Sequence, residues 1–130
     1  MKADLFLDMG DDEFTVGRAH PMIDPSIRND RVLAEATNEN VGVVLFDVVL
    51  GYGAARDPLD GLTQAIETAQ AAVKEQGRHV IFLAHVLGTD SDPQSRAAVV
   101  DALRKLGVIV AATNAQAARL CARLKKEMDK

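Results

Sequence analysis

The stretch Val41-Gly-Val-Val-Leu-Phe-Asp-Val-Val-Leu-Gly-Tyr-Gly53 decides how the rest of the chain is read. It is a nearly continuous apolar run, rich in β-branched residues and closed by a Gly-x-Gly turn, and it is too short to span a membrane. A strand buried on both faces reads this way, and such strands occupy the middle of parallel α/β sheets. One charge, Asp47, interrupts the run. A carboxylate there either lies toward the strand's carboxyl end, where α/β sheets gather their ligands, or must be paired inside the core at a cost of several kcal/mol. The first placement is the expected one.

Working outward, the same grammar recurs. Asp57-Pro58 reads as a helix cap followed by Pro at the first helical position, and Leu59, Leu62, Ile66, Ala69 and Val73 form an apolar stripe ending at Gly77. His79 to Leu87 reads as a second buried strand. Asp92-Pro93 repeats the cap, and a helix from Pro93 to Leu106 turns Val99, Val100, Leu103 and Leu106 inward before Gly107. Val108 to Ala112 is a further strand, and Thr113-Asn114 caps a last helix to about Lys126. Toward the amino terminus, Ala3 to Met9 has the pattern of a first strand. Asp24-Pro25 caps a helix from about Pro25 to Thr37, with Ile27, Val32, Leu33 and Ala36 inward. The order β-α-β-α-β-α-β-α predicts an α/β fold, with a mainly parallel sheet of four to five strands and every strand-to-helix turn on one edge.

At 130 residues the chain is expected to form one domain, residues 1–130. Hydrophobic residues make up 48% and aromatics 4%, so Val, Leu, Ile and Ala must build the core. The net charge of −4 argues against a nucleic-acid partner. Basic residues from Arg119 to Lys130 read as cations at a helix C-terminus. A lone Cys121 excludes a disulfide framework and a Cys-rich zinc site, which points to a reducing cytoplasm. No leader or membrane segment is expected, and no Cys/His/Asp cluster has metal-ligand spacing.

With all turns on one edge, the helix N-termini converge on one crevice suited to an anion. The side chains and turns delivered there are Gly10, Asp11, His20, Arg28, Asp47, Gly51, Tyr52, Gly53, His85, Gly88, Thr89, Thr113 and Asn114. His20, held extended before Pro21, is either a reactive group or a loop organiser. His85 is either a core histidine or an acid or base opposite Asp47. Of these, His20 and Asp47 are the candidate catalytic residues. Gly10, Asp11, Arg28, Gly51, Tyr52, Gly53, Gly88, Thr89 and Asn114 are candidate ligand contacts. There is no Gly-x-Gly-x-x-Gly fingerprint, P-loop or Gly-x-Ser-x-Gly elbow.

The segments Gly17-Arg-Ala-His-Pro-Met-Ile-Asp-Pro-Ser-Ile-Arg28, Val41 to Ala54, Gly88-Thr-Asp-Ser-Asp-Pro-Gln94 and Thr113-Asn-Ala115 together resemble the C-terminal part of FdrA-type acyl-CoA synthetases. These in turn are similar to the α subunit of succinyl-CoA synthetase. The resemblance implies a flavodoxin-like three-layer sandwich. It also implies acid-thiol ligase chemistry with CoA and ATP or ADP, or carbamoyl transfer. The implied partners are a CoA-binding domain and a nucleotide-binding subunit, and self-association is possible. The succinyl-CoA synthetases carry a phosphorylated histidine in a Gly-His-Ala-Gly loop. Here the corresponding interval is Gly88-Thr-Asp-Ser-Asp-Pro93, which lacks histidine, so the complete ligase reaction is not expected of this polypeptide alone, and no cofactor is assigned to it by itself. The rival reading is a catalytically inert assembly or regulatory module on the same fold. A receiver-like phosphoacceptor at Asp47 would need a Lys late in the sheet, and none directly follows the last strand.

Overall fold

The structure, a computed structural model, describes residues 26–51, 57, 59, 61–89, 91 and 94–128. Within them lie α1 (Ser26–Ala36), β1 (Val43–Val49), α2 (Leu62–Glu75), β2 (Ile81–Leu87), α3 (Arg96–Lys105), β3 (Ile109–Ala111) and α4 (Asn114–Met128). The three strands form one parallel sheet in the order β1-β2-β3, with Asp47 opposite His85 and His85 opposite Ala111. The expected strand at Ala3 to Met9 falls outside the described residues.

Alternation along the strands sorts the side chains into two layers. Phe46, Val48, Phe82, Ala84 and Val86 face α1, α2 and α3. They pack with Val32, Ala36, Leu62, Ile66, Ala69, Val73, Val99, Val100 and Leu103 in the main core. The opposite face is thinner: Leu83, Ala111 and Ala117 are buried between the sheet and α4, with Val43, Leu120 and Cys121 around them. The result is the α/β sandwich expected of the sequence, consistent with a flavodoxin-like arrangement. Because consecutive parallel strands need crossovers, α2 and α3 share a face and their N-termini share the carboxyl edge of the sheet.

Two helix starts differ from the sequence reading. The second helix begins at Leu62 rather than Pro58. Gly61 precedes it at φ 71, a left-handed conformation that no right-handed helix can include, and Asp57 Oδ1 instead accepts from Leu59 N at 3.1 Å in a local turn. The third begins at Arg96 rather than Pro93. Ser95 has φ 51, and Arg96 N donates to Thr89 O at 3.2 Å, so the preceding loop rather than an Asp cap takes the free N–H. At the last helix the expected cap is present, since Thr113 Oγ1 accepts from Gln116 N at 3.1 Å. Gly77 and Gly107 follow α2 and α3 at φ 70 and 86. Among the described residues no helix is long and apolar enough to cross a membrane.

Candidate functional site

The odd-numbered face of β1 brings Asp47 out of the core. It stands two residues before the strand ends, 60% exposed, with its Oδ1 3.8 Å from His85 Nδ1 on the neighbouring strand. His85 is only 12% exposed. At 3.8 Å the pair is electrostatic rather than hydrogen-bonded, and it becomes an ion pair when the imidazole is protonated. A carboxylate on the Nδ1 side leaves Nε2 as the nitrogen available for proton transfer.

Arg28, from the first turns of α1, reaches the same strand by a different route. Leu50 N donates to Leu87 O and Gly42 O accepts from Ile81 N, so the even-numbered main-chain groups of β1 face β2. The carbonyl of Asp47 therefore faces the outer edge, where Arg28 Nη1 donates to it at 3.0 Å. Nε and Nη2 of the same guanidinium donate to Asn29 Oδ1 at 3.4 and 3.2 Å, and Asn29 is buried. Arg28 thus ties α1 to the side of β1 that pairs with no strand among the described residues. Burial lowers its pKa from the ordinary arginine value to about 10, opposed by the Asp47 carboxylate, so it stays cationic at neutral pH. The unfolded chain binds this proton more tightly, so the Arg28 contribution raises stability with pH only above about 10. The stability difference between wild type and Arg28→Met is accordingly expected to be flat from about pH 6 to 9 in urea melts. A slope there would show that this cation is coupled to a group titrating near neutrality.

At the carboxyl edge, the turns after β1 and β2 are tied together by Gln94, a residue to which the sequence alone assigns no role. Gln94 Oε1 accepts from Gly51 N at 3.0 Å and Gln94 Nε2 donates to Gly51 O at 2.9 Å. The side-chain amide acts as an extra peptide group, fixing Gly51 against the loop in which Thr89 Oγ1 accepts from Ser91 N at 3.2 Å. Gln94 ends one of the segments that carry the family resemblance, but neither periodicity nor spacing signals a clamp, so its spatial neighbours reveal the role. Gln94→Leu is expected to cost about 1–3 kcal/mol by leaving both main-chain groups of Gly51 unpaired, measured by thermal or urea unfolding. Gly51 has φ 132, a region that favours glycine, and the space where a Cβ would project is open to 4 Å. Gly51→Ala should therefore cost about 1–3 kcal/mol through backbone strain alone, with no packing clash.

Asp47, His85 and Arg28 are thus brought together around the end of β1, and Gly51, Gly88 and Thr89 follow the two strands at the same edge. Asn114 opens α4 there, exposed. Gly10, Asp11, His20, Tyr52 and Gly53 lie outside the described residues. Open space beside Gly51 and the N-terminus of α4 lie at this edge, although the Gly51 N–H is taken by Gln94 and that of Gln116 by Thr113. No group of three or more His, Cys, Asp or Glu suited to a metal occurs among the described residues. A cleft of about 510 Å³ lies at the opposite, amino edge, between Lys74, Arg78, His79 and Ile109. Arg78 there is held by Gln76, Thr37 O and Val41 O, so it pins the α1–β1 and α2–β2 connections together and the cleft is separate from the crevice.

The sequence is 44% identical over 109 residues to the uncharacterized protein YahF of Escherichia coli (strain K12), a match covering 84% of this chain and 21% of that protein. The chain therefore spans about a fifth of the length of this curated relative. Residues 1–124 match the family described as CoA-ligase, with the sheet, its crevice and α4 nearly to its end inside the match, and the chain belongs to the CoA-ligase family.

Proposed function

We propose that residues 1–130 form the single ligase-type domain of an FdrA-like acyl-CoA synthetase, or of an acyl or carbamoyl transferase, working in the cytoplasm with a CoA-binding domain and a nucleotide-binding partner. The observation that carries this reading is the family match across almost the whole chain. The carboxyl-edge crevice supports it, because an exposed carboxylate backed by a half-buried imidazole stands beside the glycine turns and helix start of that edge. In this reading Asp47 is the catalytic carboxylate and His85 its proton carrier, with His20 from the preceding segment as the second catalytic candidate. Gly51, Gly88, Thr89 and Asn114 receive the anionic part of the ligand, with Gly10, Asp11, Tyr52 and Gly53 delivered from the flanking loops. Arg28 acts by fixing the strand that carries Asp47. CoA and ATP or ADP are ligands of the assembled complex, supplying the thiol and the phosphoryl group.

Calorimetric titration with CoA, ATP, ADP, carbamoyl phosphate and succinate, with and without the partner chains, tests the reading. Binding of a phosphorylated or carboxylated member is expected, and silence in every combination overturns it. The alternative, an inert assembly or regulatory module, draws on the loop Gly88 to Pro93, which has no histidine to carry a phosphoryl group. His20→Ala with Asp47→Asn separates the two. Lost ligand binding at an unchanged melting temperature supports a site, and lost partner association alone supports the module.

A further inference from the structure

We propose that Arg96 is the oxyanion-binding cation of the carboxyl-edge crevice, holding a carboxylate or phosphoryl group of the ligand between its two Nη atoms. The inference deepens the ligase reading and rests on it for the crevice being a ligand site. Its starting point is where β3 stops. Main-chain groups alternate along a strand, and Leu87 O turns to β1, where it accepts from Leu50 N at 2.8 Å. Val86 O therefore turns to the other side of β2, toward β3. The last pairing of those two strands is His85 with Ala111, so the ladder ends one residue short of Val86. Arg96, the first residue of α3, reaches over this end of the sheet, and its Nε donates to Val86 O at 3.4 Å. Asp47 stands on β1, so β2 with His85 lies between that carboxylate and the Arg96 cation.

The rest of the guanidinium is unused. Arg28 places Nη1 on Asp47 O and Nη2 on Asn29, and Arg78 places Nη1 on Val41 O and Nη2 on Thr37 O and Gln76. Arg31 Nη2 pairs with Glu35 at 2.7 Å. Arg96 is half-buried as these are, yet among the described residues neither of its Nη atoms meets an acceptor and no carboxylate pairs with it. A partly desolvated guanidinium anchored through Nε presents the fork of two Nη atoms that suits a bidentate oxyanion.

The backbone is bent to aim it. Ser95 has φ 51 and is the one non-glycine residue of positive φ among the described residues. It turns the chain between Gln94, whose amide clamps Gly51, and Arg96, whose N–H donates to Thr89 O at 3.2 Å. Neighbouring residues thus serve the two strand ends, Gln94 that of β1 and Arg96 that of β2. Strain of this kind persists where the surroundings hold a side chain in a set direction. Arg96 also supplies a charge the crevice otherwise lacks, because Arg28 is turned to the main chain of β1 and the interval Gly88 to Pro93 contains no basic residue.

NMR of the chain isotope-labelled in arginine, titrated with inorganic phosphate and separately with succinate, tests the assignment. The Arg96 Nε–Hε signal is expected to shift and saturate with at least one of the two anions, which tells a phosphoryl site from a carboxylate site, and sodium chloride should weaken the response. Arg96→Gln should weaken binding at least about tenfold and Arg96→Lys, which keeps the charge and loses the fork, by less. Arg104→Gln, at the far end of α3, should leave it unchanged. Binding undiminished in Arg96→Gln overturns the assignment and leaves the ligase reading in place, since the anion would then sit elsewhere in the crevice. An Arg96 signal in the wild-type chain that neither anion moves overturns it as well, without recourse to a variant. The ligase reading falls only if the titrations with partner chains are silent too.

Discussion

Replacing Leu83 by Ala is expected to lower folding stability by about 3 kcal/mol, within the range of about 2–5 found for fully buried Leu. Leu83 sits in the middle of the three described strands, 0% exposed, and it is the largest fully buried side chain between the sheet and α4. Its buried neighbours there are Ala111 and Ala117, too short to close over the space left behind. The loss combines the transfer term of the removed atoms with an unfilled cavity, and in a domain of this size it corresponds to a fall of about 10 °C in Tm. Guanidinium or thermal unfolding of the variant measures it. A cost under about 1 kcal/mol would mean that α4 does not dock on this strand, which would remove the second layer of the sandwich.

The largest functional effect is expected at the cross-strand pair. In the reconstituted system, Asp47→Asn and His85→Ala should each reduce turnover by about 10²–10⁴-fold, the usual weight of a positioned general acid or base. Stability should barely change in Asp47→Asn, because the carboxylate is 60% exposed and an ion pair so open to water contributes little. The double variant should be no worse than the more damaging single one, since the two groups act as a unit. Wild-type turnover in both single variants would assign the pair to sheet geometry and leave proton transfer to His20.

Much of the fold is legible because hydrophobic periodicity is a local property. The run from Val43 to Val49 and the stripe of Leu62, Ile66, Ala69 and Val73 each announce an element whose burial follows from composition alone. Thr113 as the cap of α4 is readable for the same reason, since capping involves residues three apart. The Asp-Pro pairs misled at Pro58 and Pro93. An Asp can satisfy a turn as easily as a helix end, and the choice at Asp57 was settled by Gly61 in a left-handed conformation just before Leu62. The site was only partly readable. Asp47 and His85 were nameable as facing residues, but their distance depends on register, and the clamp of Gln94 on Gly51 spans 43 residues with no pattern in between.

By itself the sequence determined the class of fold, the direction of its strands and the edge to which its helix starts are delivered. These depend on side-chain alternation and on the handedness of crossovers, which act within one β-α-β unit. Only the tertiary structure decided that Asp47 faces solvent beside His85, that Arg28 spends its guanidinium on the main chain of β1, and that α4 docks Ala117 on Leu83 while Met128 lies over Gly42. Those outcomes depend on packing between elements far apart in the chain, where one residue of register or a few degrees of helix direction changes which side chains meet.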